Sequence, residues 1–77
     1  MKTGHIKWFN LVKNFGFITS DSSNTDIFFS GSELDVNLKS KERLNGFLVE
    51  FGISQDLQGR NIAVNVKPLN KSDTTGV

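Results

Sequence analysis

An all-β fold, a five-stranded antiparallel barrel, is the architecture this sequence predicts, on three observations. Several short windows alternate with period two, and no long window shows the i, i+3, i+4, i+7 recurrence of an amphipathic helix. The 77 residues suffice for one small domain and not for two. Five short strands joined in sequence would also leave edges that so small a chain cannot cover, and closure into a barrel removes them.

The elements follow in order. GHIKWFN (residues 4–10) and KNFGFITS (residues 13–20) read as a hairpin joined around Leu11 to Asn14. Asn14 is one of the few residue types that tolerate a positive φ in a tight turn. Residues 20–26 form a polar loop, and a short strand covers Asp26 to Ser30. Residues 31–46 lack periodicity and read as a long loop, with a helical turn at Ser32 to Asp35. Phe47, Val49, Phe51 and Ile53 alternate with Leu48, Glu50 and Gly52, which predicts a strand with one face on a core. Ile62, Val64 and Val66, interleaved with Ala63, Asn65 and Lys67, predict another. Between them Gly59 supplies the backbone freedom of a turn, and Pro68, lacking an amide hydrogen, closes the last strand. The domain is expected over residues 1–69. The polar tail, residues 70–77 (NKSDTTGV), is expected to be disordered.

Composition narrows the function classes. There is no cysteine, so disulfides and thiolate metal sites are excluded. No run of about 18 apolar residues marks a membrane span, and the N-terminus lacks the apolar stretch of a signal peptide. A cytoplasmic location is the expectation. The net charge of +1 says little as a total. Its distribution says more: Lys2, Lys7 and Lys13 share the first twenty residues with Trp8, Phe9, Phe15 and Phe17, and the first acid is Asp21. That concentration suits a nucleic-acid surface and equally suits a strand-rich core with solubilising lysines.

Phe15 and Phe17 lie two apart, so a strand points both to one side and Gly16 and Ile18 to the other. If Ile18 is core, the two phenylalanines are outside, where paired exposed rings need a reason. The same logic puts Ile27 and Phe29 inside and Phe28 outside. The opposite register buries all three rings, and periodicity alone does not choose between the two.

Gly4 to Asn10, followed by Lys13-Asn14-Phe15-Gly16-Phe17-Ile18, resembles the signature of the cold-shock domain family: a KWFN strand leading into a K-G-F-G-F-I motif. Asp26-Ile27-Phe28-Phe29 is similar to the start of the family's second motif, and Ala63 to Val66 to its last strand. The resemblance spans roughly residues 3 to 69 and is strongest in the first third. It implies a five-stranded OB-type barrel whose aromatic residues stack on unpaired bases, the sequence-tolerant mode of single-strand binding. Carried over residue by residue, it implies stacking roles for Trp8, Phe15, Phe17 and Phe28, with Phe9 shared between site and core. Lys7 and Lys13 match basic positions near the bound backbone, and Asn10 and Asp26 match polar positions beside the bases. The partner implied is single-stranded RNA or DNA, bound without a cofactor.

The chain departs from that pattern in places. Ser30 and Gly31 stand where the family commonly has histidine and phenylalanine, so Ser30 occupies a binding position without a stacking ring. At roughly 1–3 kcal/mol per stacked base, two missing rings amount to roughly 2–6 kcal/mol. The long loop has no aromatic residue; Lys39, Lys41 and Arg43 either contact phosphates or form a solvated charged loop. Leu11 and Val12 put two apolar residues at a hairpin tip, a small surface for a protein partner or self-association. Asn14 replaces the motif's usual glycine.

No catalytic centre is assembled. His5 reads as a surface residue beside a strand start, and the serines and aspartates have no base or metal-ligand partner at recognisable spacing. The primary expectation is a single-stranded nucleic-acid binding protein of RNA-chaperone type. The alternatives are an interaction protein on the same fold and another small OB-fold factor of the translation machinery.

Overall fold

Burial alternates along the first half of the first strand and breaks near its middle, and its phase is set by what the strand pairs with. The computed structural model describes residues 1–39 and 44–69; the polar tail, with Lys41 and Arg43, lies outside them. Strand β1 (Lys2–Asn10) pairs antiparallel with β2 (Phe15–Ser20), and β2 with β3 (Asp26–Ser30). A 3-10 turn (Gly31–Glu33) and a single helical turn, α1 (Val36–Lys39), follow. Then β4 (Leu48–Gln55) and β5 (Asn61–Pro68) form a second hairpin. The helical turn expected at Ser32 to Asp35 is thus split in two around Asp35, whose carboxylate accepts the amide of Asn37 at 3.0 Å and starts α1.

The strands close into a barrel in the order β1-β2-β3-β5-β4. One joint corrects the fully antiparallel expectation: β3 meets β5 in parallel, with Phe28 opposite Ile62. An odd number of strands arranged in a ring cannot alternate direction at every joint, so one parallel seam is a necessity of five-stranded closure.

Both turns form as their residues suggest. Asn14 sits at φ 62° and its amide bonds the Asn10 carbonyl at 2.7 Å, while Gly59 sits at φ 80°. Asp56 ties the second turn, accepting the amides of Gln58 and Arg60 at 2.9 Å each. Those amides, with the Arg60 side chain, hold the Asp56 carboxyl below its ordinary range.

The core consists of Ile6, Ile18, Phe29, Val49, Phe51, Ala63 and Val66, with Ile27 at its margin. Leu34, Leu38 and Leu44, from the long segment after β3, join the same core. Each large side chain buried in this way contributes ~1.5–3 kcal/mol, a substantial share for a domain of this size.

Two expected strand faces need correction. In β5 the inward residues are Ala63 and Val66, not the set Ile62, Val64 and Val66. An extra residue stands on β5 between the pairs Gly52–Val64 and Glu50–Lys67. Asn65, at φ 53°, absorbs it and reverses the phase. In β4, Val49 and Phe51 face in, but Ile53 has run past the covered part of the barrel and is about a third exposed, at 36%.

Candidate nucleic-acid interface

The aromatic register is the exposed one: Gly16 and Ile18 are buried, and Phe15 and Phe17 are half-buried on the outer face. Gly16 is required inside because a Cβ there would meet the Trp8 carbonyl and lie 2.9 Å from the Cα of Phe9. The close approach of β1 and β2 that it permits lets Phe9 stack on Phe29, at 5.5 Å between centroids and 18° between planes. Phe9 therefore stands on the core side of its strand, apart from the outer rings.

Trp8 reaches the outer face through a bulge. Strict alternation from the buried Ile6 would turn Trp8 inward. The pairing instead moves from Ile6 opposite Ile18 to Trp8 opposite Phe17, which leaves Lys7 as an extra residue. Lys7 and Trp8 consequently both point outward. The signature KWFN thus encodes a change of phase as well as a set of side chains.

Four rings meet on this face. Trp8 lies 5.5 Å from Phe15 and 5.2 Å from Phe17. Phe28 stacks on Phe15 at 5.5 Å and stands edge-on to Phe17 at 5.9 Å. Each ring is held by its neighbours while part of its surface stays open to solvent, and Phe28 is 38% exposed. Such a patch offers π faces to planar, unsaturated ligands.

Polar residues border the rings. The Lys7 ammonium donates to the Asp26 carboxylate at 2.7 Å, and the Thr19 hydroxyl donates to the same group at 2.9 Å. These bonds, Lys7 first, hold the Asp26 carboxyl below its ordinary value of 3.8. The Asn10 side chain is drawn into the first turn, accepting the Lys13 amide at 2.9 Å, and Lys13 is exposed on that turn. Ser30 pairs with Phe15 across the strands. Its hydroxyl accepts the Ser32 amide at 3.3 Å, capping the 3-10 turn. Trp8, Phe15, Phe17 and Phe28 are thus brought together with Lys7 and Asp26; Asn10 and Ser30 serve local structure beside them.

Sequence reasoning missed the continuation of this face. Beyond Phe17 and Phe28 a groove of about 730 Å³ runs on to Ile62 and Ile53, with Lys2 and Arg60 on its walls. Alternation assigned both isoleucines to the core. For Ile62 the signal against that assignment was Asn65, a residue tolerant of positive φ inside a strand, whose phase change turns Ile62 outward.

Comparison with known proteins agrees with this geometry. The family model of the 'Cold-shock' DNA-binding domain matches residues 2–69. The chain is 37% identical over 65 residues to a cold shock-like protein, CspA, of Stigmatella aurantiaca, covering 80% of this chain and 94% of that protein. It is 38% identical over 60 residues to the cold shock-like protein CspE of Escherichia coli, covering 78% and 86%. Cold shock protein 1 of Arabidopsis thaliana is 39% identical over 64 residues, which cover 83% of this chain but only 21% of that longer protein. Among solved structures, Drosophila Unr CSD456 superposes with a TM-score of 0.71 at 27% identity, over 91% of this chain and 27% of that one. Among the described residues no helix is long and apolar enough to cross a membrane. A closed OB-type barrel carrying this signature on its outer face, matched by the family model over nearly its whole length, makes the chain a member of the cold-shock domain family, whose members bind nucleic acids.

Proposed function

We propose that this protein binds single-stranded RNA or DNA on the patch of Trp8, Phe15, Phe17 and Phe28 and acts as an RNA chaperone in the cytoplasm. The observation that carries the reading is the four-ring cluster on the outer face of the sheet. Exposed, mutually braced rings disfavour solubility and are suited to stacking on bases. Binding is passive. Affinity for unpaired strands shifts the folding equilibrium of an RNA toward its open state by mass action, without hydrolysis of a nucleotide. Lys7 and Lys13 neutralise phosphates beside the rings.

The test is a titration with short oligo-dT and oligo-U, following Trp8 fluorescence at two salt concentrations. The expected outcome is saturable quenching with a salt slope of about −2, as for roughly three phosphate contacts. Absence of quenching at high micromolar strand would overturn the reading.

A second reading rests on the first turn, where Leu11 and Val12 are 76% and 93% exposed. An apolar tip of this kind suits weak self-association or a protein partner. A clean monomer in sedimentation, unchanged by Val12→Glu and with no co-purifying partner lost, would dispose of it.

A further inference from the structure

The chain has one tryptophan, seven phenylalanines and no tyrosine, and every ring has a place. Trp8, Phe15, Phe17 and Phe28 form the outer patch. Phe29 and Phe51 are fully buried, while Phe9 and Phe47 pack against the core. One face of Phe9 is taken by Phe29. No aromatic residue stands between Phe29 and Phe47 or after Phe51. The stacking groups open to a ligand are therefore the four of the patch, whatever path a strand takes over the barrel.

The patch is short, and both its ends are defined. Trp8 and Phe28 each lie 5.5 Å from Phe15, so the patch is at most two ring-to-ring steps across. Beyond Phe28 the groove continues along Ile62 and Ile53, which are aliphatic and offer no π face. At the other end Phe15 pairs with Ser30, whose hydroxyl is occupied with Ser32. The next residues on the two strands, Asn14 and Gly31, are tied together: the Gly31 amide donates to the Asn14 carbonyl at 2.9 Å. The Asn14 carboxamide fills the space that a Cβ on Gly31 would need, with its Cγ 2.6 Å and the Phe9 Cζ 3.0 Å from that point. Gly31 does not sit in the left-handed region, so its backbone would accept a side chain. Asn14 is what keeps one out.

We propose that Asn14 and Gly31 act together as a stop that ends the stacking platform at Phe15. The strand it holds is then about four nucleotides long, one per ring, at the bottom of the ~4–16 nucleotide range of such barrels. The inference rests on the reading under Proposed function and adds the length of strand that the site takes. A short unpaired window, of the size of a small hairpin loop, meets every stacking group that a long open strand would meet.

The experiment uses the full chain and oligo-dT of two to eight nucleotides, read by Trp8 quenching. Wild-type affinity should climb by about tenfold per nucleotide up to the fourth, and beyond that only with the number of registers a longer strand offers. Gly31→Phe alone sets a ring against the Asn14 carboxamide and should melt below the wild type. Asn14→Gly vacates that space, and glycine suits the φ of 62° there. The double variant should therefore melt above Gly31→Phe. Its affinity should exceed that of the wild type by about tenfold for strands of five or more nucleotides, and not for shorter ones. Circular dichroism checks each fold, and if the double variant does not fold, the wild-type series decides.

A wild-type affinity that keeps climbing steeply from the fourth nucleotide to the eighth overturns the stop and leaves the aromatic patch standing. So does a folded double variant that gains nothing on longer strands, or a Gly31→Phe variant that melts like the wild type. Absence of quenching at every length overturns the patch and the stop together.

Discussion

Strands β1 and β5 each carry one residue too many for their partner, and they use it differently. In β1 the extra residue is Lys7, and the bulge turns both Lys7 and Trp8 outward while Phe9 returns to the core. In β5 the extra residue sits at Asn65, whose left-handed backbone brings Val66 into the core and leaves Ile62 outside against Phe28. The first irregularity builds the outer aromatic patch directly. The second serves the core first and widens the patch as a by-product. A phase change inside a strand thus shapes the surface and is not noise in the alternation.

The largest effect is expected from removing rings on the β1–β2 face. Phe15→Ala with Phe17→Ala should weaken binding to a pyrimidine-rich oligonucleotide by roughly 2–6 kcal/mol, at ~1–3 kcal/mol per stacking group. Both rings are half-exposed, so thermal unfolding should move far less than binding does. Equal affinity in the double variant would mean the rings are not the platform.

A smaller effect is expected at the other irregularity. Asn65→Val forces a β-branched residue into φ 53° and should cost about 1–2 kcal/mol of stability. In a domain this small that lowers Tm by roughly 4–8 °C per kcal/mol. Asn65→Gly should be close to neutral, because glycine adopts this conformation without steric penalty. If Asn65→Val melts like the wild type, the bulge is not what sets the phase of β5.

The smallest effect concerns Asp26. Its carboxyl is held below 3.8 by Lys7 and Thr19, so the unfolded chain takes up its proton more readily than the folded one. The linked stability is fully present above pH 3.8 and is lost as the pH falls through the lower value in the folded protein. Asp26→Asn should therefore be less stable than the wild type near neutrality, by a small margin because the pair is exposed. The two denaturation midpoints should converge in acid. Parallel curves down to pH 2 would show that the ion pair is not the cause.

The fold was legible in the sequence where local chemistry and pattern coincide. Asn14 and Gly59 marked their turns and Pro68 ended its strand, whereas periodicity left the inward faces of β2 and β3 open and only the resemblance chose between the two registers. What escaped had non-local causes. The outward place of Trp8 came only from the resemblance; strict alternation from Ile6 would turn it inward, and the bulge at Lys7 that prevents this exists through pairing with β2. Ile62 and Val64 were assigned inward because nothing in IAVNV announces an extra residue except Asn65. Phe9 was divided between site and core, and its stacking on Phe29 depends on the space Gly16 leaves between the strands. The Asn14 carboxamide fills the space that a Cβ on Gly31 would need, and that relation was invisible because the two residues lie seventeen positions apart.

The parallel seam has a kinetic consequence. It joins Phe28 to Ile62 through a single paired position, closing a long chain segment, and loop closure of that kind is among the slower steps in assembling a β fold. The two antiparallel hairpins are local and form without it. The seam is thus expected to close last and to open first, and amide hydrogens along it should exchange faster than those within either hairpin. Phe28 stands on the seam, so the same fluctuation parts the aromatic patch from the groove beyond it. A strand lying across both would bridge the two hairpins and hold the barrel shut, slowing exchange at a joint that the bare protein closes with the Phe28–Ile62 pair and the Leu34–Val66 bridge beyond it.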